Sequence, residues 1–102
     1  MKSLYVINKL VSKSNSRSID WLTPTVIVVT QKNEVSEVLS KFLSINDVHV
    51  LATGSNGKEA VELYCKYKPD ITIMDLEMPK YDGFYGLENI KKTDPDAKVI
   101  II

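Results

Sequence analysis

One cysteine and one histidine in 102 residues narrow the chemistry at the outset. Cys65 alone makes no internal disulfide, which fits a reducing, cytoplasmic setting. It falls in a helical pattern with no basic motif around it, so the electropositive surroundings that activate a thiol are missing. His49 has no second His or Cys at ligand spacing, so a zinc-type site is not expected. No apolar run approaches the ~18 residues that a spanning helix requires, and no membrane association is expected. The 13 basic and 13 acidic residues cancel, leaving no electrostatic footprint for nucleic acid. None of the four glycines follows the first strand. Thr30-Gln31-Lys32-Asn33 stands there instead, without the cradle that a flavin- or nucleotide-binding protein on such a fold uses for phosphate. What is present is an ordinary hydrophobic fraction of 44%, enough for one small domain with one core.

The charges are unevenly placed. Residues 1–22 carry Lys2, Lys9, Lys13 and Arg17 against Asp20, a balance of +3, and residues 23–102 carry −3. Leu4, Tyr5, Val6, Ile7, Leu10 and Val11 form an apolar cluster. Leu4, Ile7 and Val11 fall at helical spacing, although Leu4–Ile7 also suits a strand. Ser12 to Ser18 reads as a polar linker. The division is residues 1–23 as an N-terminal extension with its linker, and 24–102 as the domain proper. Trp21 and Tyr5 are suited to anchoring the extension.

From Pro24 onward the pattern is regular. Val26-Ile27-Val28-Val29 is a β-branched run of the kind found in strands covered on both faces. Asn33 is a candidate cap for the first helix, whose Val35, Val38, Leu39, Phe42 and Leu43 make a core-facing stripe. Val48–Ala52 reads as a second strand, Lys58–Tyr67 as a second helix with Ala60, Val61 and Tyr64 inward, and Asp70–Asp75 as a third strand. Phe84–Thr93 forms a third helix burying Leu87 and Ile90, and Lys98–Ile102 begins a fourth strand. Strict alternation with short loops implies right-handed crossovers and a parallel sheet with helices on both faces. The first and third strands are then neighbours at a switch point, and the residues after Val29 and Met74 face one crevice.

The stretch Asp75-Leu76-Glu77-Met78-Pro79-Lys80-Tyr81-Asp82-Gly83 carries the most information. It puts a carboxylate at the end of a buried strand, followed by a proline and an Asp-Gly turn. Together with Ala52–Ala60, Lys68–Asp75 and Asp94–Ile102, in register, it resembles the receiver domains of two-component response regulators over residues 24–102. The resemblance implies a flavodoxin-like, doubly wound α/β fold. It also implies that Asp75 is a phosphoacceptor served by a histidine kinase or phosphotransfer protein, that Met78, Pro79, Asp82 and Gly83 form the active-site loop, and that the chain is not an enzyme. In such domains a magnesium ion is held by an acidic pair after the first strand, by the acceptor aspartate and by the carbonyl two residues on, here Glu77.

Two departures qualify this. The acidic-pair positions hold neutral Thr30 and Gln31. At an effective dielectric of 20, each lost carboxylate–dication contact is worth about 4 kcal/mol before desolvation is subtracted. Magnesium, which favours carboxylates, is therefore expected to bind weakly. Two functions remain open: an atypical phosphoacceptor, or a phosphorylation-independent interaction module with an unknown protein partner. The second departure is that the fourth strand is the last element in the chain, so the fold is expected to be incomplete. At ~25 cal/mol per Å², the apolar surface this exposes calls for a cover. The cover is expected from Leu4–Val11 in cis or by exchange, from a homodimer pairing fourth strands, or from the rest of a longer protein. Lys32 and Lys80 are expected to face solvent, and Tyr81, Phe84 and Tyr85 to pack the loop and third helix.

Overall fold

The computed structural model describes residues 23–102. The elements alternate as β1 (Thr25–Val29), α1 (Asn33–Ile45), β2 (His49–Gly54), α2 (Gly57–Tyr67), β3 (Ile71–Met74), α3 (Gly83–Thr93) and β4 (Val99–Ile101). The sheet is wholly parallel in the order β2-β1-β3-β4. The chain steps from β1 outward to β2, then crosses back to β3 and β4. This is the doubly wound, flavodoxin-like arrangement, with its switch point between β1 and β3. The apolar cluster Leu4–Val11, the serine-rich linker and the Trp21 and Tyr5 anchors lie outside the described residues.

The β-branched run at β1 does what its composition requires. Val26, Ile27, Val28 and Val29 are all buried, because alternate side chains feed two cores. Ile27 and Val29 join Ala60, Tyr64, Met74 and Ile90 under α2 and α3. Val26 and Val28 join Leu43, Val48, Ile71 and Ile73 under α1. The register Val28–Ile73 and Val29–Met74 brings the carboxyl ends of β1 and β3 level.

Helix α1 departs from the expected pattern in two ways. Asn33 is its first helical residue, and the cap position falls to Lys32, whose side chain makes no capping bond. The connection from β1 is so short that Lys32 is still extended when the helix begins. The predicted stripe is also only partly buried. Leu43 is fully buried, whereas Val38 is 70% exposed and Phe42 38% exposed. Helices α2 and α3 cover their face of the sheet together. Among the described residues, α1 is the one helix on its own face, so one edge of its stripe meets the core and the other edge meets nothing. The smaller differences are at strand ends, where β2 runs on to Gly54 and β4 is confined to Val99–Ile101.

Candidate functional site

The site is built where β1 and β3 end side by side. The Asp75 amide donates to the Val29 carbonyl at 2.9 Å, extending the ladder one residue past both strands. This places the Thr30 and Asp75 side chains together at the strand tips. The Thr30 hydroxyl donates to Asp75 Oδ2 at 2.8 Å and accepts the Lys32 amide at 3.2 Å. Thr30 is buried, with 3% exposure, while Asp75 is half-buried and its other oxygen makes no hydrogen bond among the described residues. The Asp75 carboxylate makes no hydrogen bond to the Asp82–Gly83 loop and turns to Thr30 instead.

The loop is anchored by its own backbone. The Gly83 amide donates to the Leu76 carbonyl at 2.8 Å. A Cβ on Gly83 would stand 2.5 Å from the Asp75 carbonyl oxygen and 2.8 Å from the Leu76 Cα, so glycine is required for this approach. Asp82 then caps α3, accepting the Tyr85 amide at 2.9 Å. Within the loop, the Tyr81 amide donates to the Pro79 carbonyl at 2.7 Å around Lys80, whose φ of 65° lies in the left-handed region. The Tyr81 carbonyl accepts the Gly57 amide at 2.6 Å, tying the loop to the start of α2. Met78 is buried beneath the loop. Gln31, Leu76, Glu77, Met78, Pro79, Asp82 and Phe84 line an open cleft of about 490 Å³; Asp75 is not part of its lining.

The predicted site residues are thus brought together: Thr30, Asp75 and the loop Met78–Gly83 meet at one end of the sheet. Lys32 and Lys80 are exposed, as expected. Tyr81 and Tyr85 pack together with ring centroids 4.8 Å apart, whereas Phe84 is 65% exposed. Sequence reasoning missed the Thr30–Asp75 bond; its only signal was a hydroxyl at a position where the resemblance expects an acid. It also missed the support beneath α3, where the Tyr64 hydroxyl donates to Asp94 Oδ2 at 2.6 Å. Burial, then the bond to Asp94, push the Tyr64 hydroxyl up to about 12. Asp94 is held below the usual carboxylate range, first by Tyr64 and then by the Asp96 amide.

The donor set does not suit a magnesium ion. Asp75 and the Glu77 carbonyl stand at positions the resemblance assigns to the metal, but Thr30 and Gln31 bring no charge. The Thr30 hydroxyl is already spent on Asp75 and the Lys32 amide. Among the described residues no three acidic, His or Cys side chains converge. No step is therefore derived through a bound cation.

The model for the response regulator receiver domain matches residues 26–102. The chain belongs to that family. Receiver domains are signalling modules that generally lack enzymatic activity, bind magnesium at an acidic site and act with histidine kinases or phosphotransfer proteins. Among relatives, the chemotaxis protein CheY of Thermotoga maritima is 36% identical over 76 residues, covering 74% of this chain and 63% of that protein. A protein-glutamate methylesterase/protein-glutamine glutaminase of Hahella chejuensis is 41% identical over 78 residues, 72% of this chain but 19% of that protein. The match to that enzyme thus leaves most of it uncovered. Among solved structures, the response regulator domain of Thermotoga maritima CheB superposes with a TM-score of 0.73 at 34% identity, covering 78% of this chain and 59% of that one. CheY in the CheX-CheY-BeF3-Mg complex of Borrelia burgdorferi gives 0.73 at 30% identity, covering 76% and 59%. The chain spans less than two thirds of the length of these proteins. No described helix is long and apolar enough to cross a membrane.

Proposed function

We propose that this receiver domain accepts a phosphoryl group on Asp75 from the phosphohistidine of a histidine kinase or phosphotransfer protein, and that the modified site alters binding to a protein partner. The reading is supported by one observation above the others: Asp75 stands half-buried at the β3 tip, with Oδ2 held by the Thr30 hydroxyl and no hydrogen bond to Oδ1 among the described residues. In the transfer, Asp75 Oδ1 forms the new P–O bond, the P–N bond of the donor breaks, and the imidazole leaves with its electron pair and takes up a proton. Such transfers depend chiefly on positioning and on neutralising charge at the phosphoryl oxygens. Thr30 fixes the nucleophile, but Thr30 and Gln31 add no positive charge, so the transfer is slow.

The test is intact-mass analysis after incubation with acetyl phosphate or phosphoramidate, with and without magnesium. A gain of one acid-labile phosphoryl group in the wild type and none in Asp75→Asn is expected. No gain in the wild type under any condition refutes the reading. A second reading is favoured by the same Thr30 hydroxyl, which satisfies the carboxylate without a phosphoryl group. On that reading the domain is a phosphorylation-independent interaction module, and a partner binds wild type and Asp75→Asn with equal affinity.

A further inference from the structure

A phosphoryl group on Asp75 brings up to about two negative charges to the strand tips. Transfer to that position depends on neutralising them. A dication does not fit the residues present. Thr30 and Gln31 are neutral, and the Thr30 hydroxyl is taken up by Asp75 and by the Lys32 amide. Among the described residues no three acidic, His or Cys side chains converge to hold a metal. The turn that carries these neutral residues also carries a lysine.

We infer that the Lys32 ammonium neutralises the phosphoryl group on Asp75, in the place of a metal ion; the inference rests on Asp75 being the phosphoacceptor. Two hydrogen bonds tie the backbone of Lys32 to the carboxylate. The Lys32 amide donates to Thr30 Oγ1 at 3.2 Å, and the Thr30 hydroxyl donates to Asp75 Oδ2 at 2.8 Å. The four-carbon stem of a lysine spans a gap of that size and ends in three rotatable donors, which suit phosphoryl oxygens. Lys32 is exposed, and its side chain makes no bond to the helix it precedes. Its place is also a poor one for helix stability. It stands at the cap position, at the positive end of the α1 dipole, where a cation is disfavoured and an anion is attracted. Lysine and helix end therefore add their fields at the side of the site where the acidic pair is missing.

Neighbouring lysines are placed differently. Lys58 Nζ lies 5.6 Å from the centroid of the Tyr81 ring, and Lys91 bonds the Pro95 and Ala97 carbonyls. Lys80 sits in a tight turn at a φ of 65°, with no bond linking it to Asp75. Glu34 is the acid nearest to Lys32 along the chain, two residues on, a spacing at which side chains on a helix do not face each other. With phosphoramidate as donor, Asp75 Oδ1 forms the P–O bond, the P–N bond breaks, and the protonated nitrogen leaves with its electron pair as ammonia. Lys32 keeps its proton throughout and moves from solvent to the phosphoryl oxygens as charge builds there. One positive charge then stands where the family places two, in accord with slow transfer.

The test is the rate of phosphoryl gain from phosphoramidate, followed by intact mass on the full chain, in magnesium and in EDTA. Wild type is compared with Lys32→Gln, Lys32→Arg and Lys41→Gln. Each variant keeps the amide at position 32 and so its bond to Thr30. The wild type is expected to keep at least half of its rate in EDTA. Lys32→Gln should lose at least tenfold under both conditions, and Lys32→Arg should stay within threefold of the wild type. Lys41→Gln, the same change of charge at an exposed position further along α1, should match the wild type. Equal rates in Lys32→Gln and the wild type overturn the inference alone. So do a loss shared by Lys41→Gln, a loss that arginine does not rescue, and a wild-type rate that EDTA abolishes. A wild type that gains no phosphoryl group under any condition refutes the phosphoacceptor reading itself, and this inference with it.

Discussion

The Thr30 hydroxyl and the Asp75 carboxylate meet at 2.8 Å, joining the tips of β1 and β3 where the family's acidic site lies. A neutral donor therefore occupies a position at which a carboxylate would repel Asp75 and attract a cation. Replacing Thr30 with Asp restores one charge, worth about 4 kcal/mol against a dication before desolvation. Thr30→Asp is expected to lower the magnesium concentration at half-saturation by at least tenfold. Amide shifts at Asp75–Met78 during a magnesium titration read this directly. An unchanged midpoint would refute the assignment of Thr30 to that position.

Gly83 tests the packing that holds the loop. Its Cβ would meet backbone atoms of Asp75 and Leu76, which have no flexible end to move aside. Gly83→Ala is expected to destabilise the fold by about 1–3 kcal/mol, the usual cost of overpacking. Urea denaturation measures it, and a loss under a few tenths of a kcal/mol contradicts the geometry.

Asn56 tests the start of α2. Its side chain accepts the Glu59 amide at 2.9 Å, while Glu59 Oε1 accepts the Ser55 amide at 2.7 Å. This reciprocal arrangement satisfies two free amides at the helix start. Asn56→Ala is expected to cost about 1 kcal/mol and Asn56→Gly only a few tenths, by the same measurement.

The Tyr64–Asp94 bond gives a pH signature. Asp94 has a lowered native value, so its contribution is present above the ordinary carboxylate range of about pH 4 and is lost as pH falls through its native value. Tyr64 is raised from 10.0 to about 12, so its contribution is full below pH 10.0 and is lost as pH rises towards 12. Tyr64→Phe should therefore melt below the wild type at neutral pH. The gap should narrow at both extremes, in thermal scans from pH 3 to 11. A gap independent of pH would assign the loss to packing alone.

Much of this was readable in the residues. The β-branched run at Val26–Val29 and the alternation with helical stripes led to the strand order and the switch point. The carboxylate ending β3, with Pro79 and the Asp82–Gly83 turn behind it, led to the site. The first helix was misjudged because periodicity reports an apolar face without saying how much of it has a neighbour. Asn33 was misjudged as a cap because the length of the preceding turn, not residue preference, set where the helix begins.

Local spacing and side-chain chemistry by themselves determined the elements, the parallel sheet and the position of Asp75, since each depends on near neighbours in the chain. Tertiary structure alone decided that Thr30 bonds Asp75, that Tyr64 reaches Asp94 and that Val38 and Ile45 stand clear of the core. The first two pairs are 45 and 30 residues apart. Such contacts, and the bare edge of α1, depend on how whole elements stack, which no local pattern encodes.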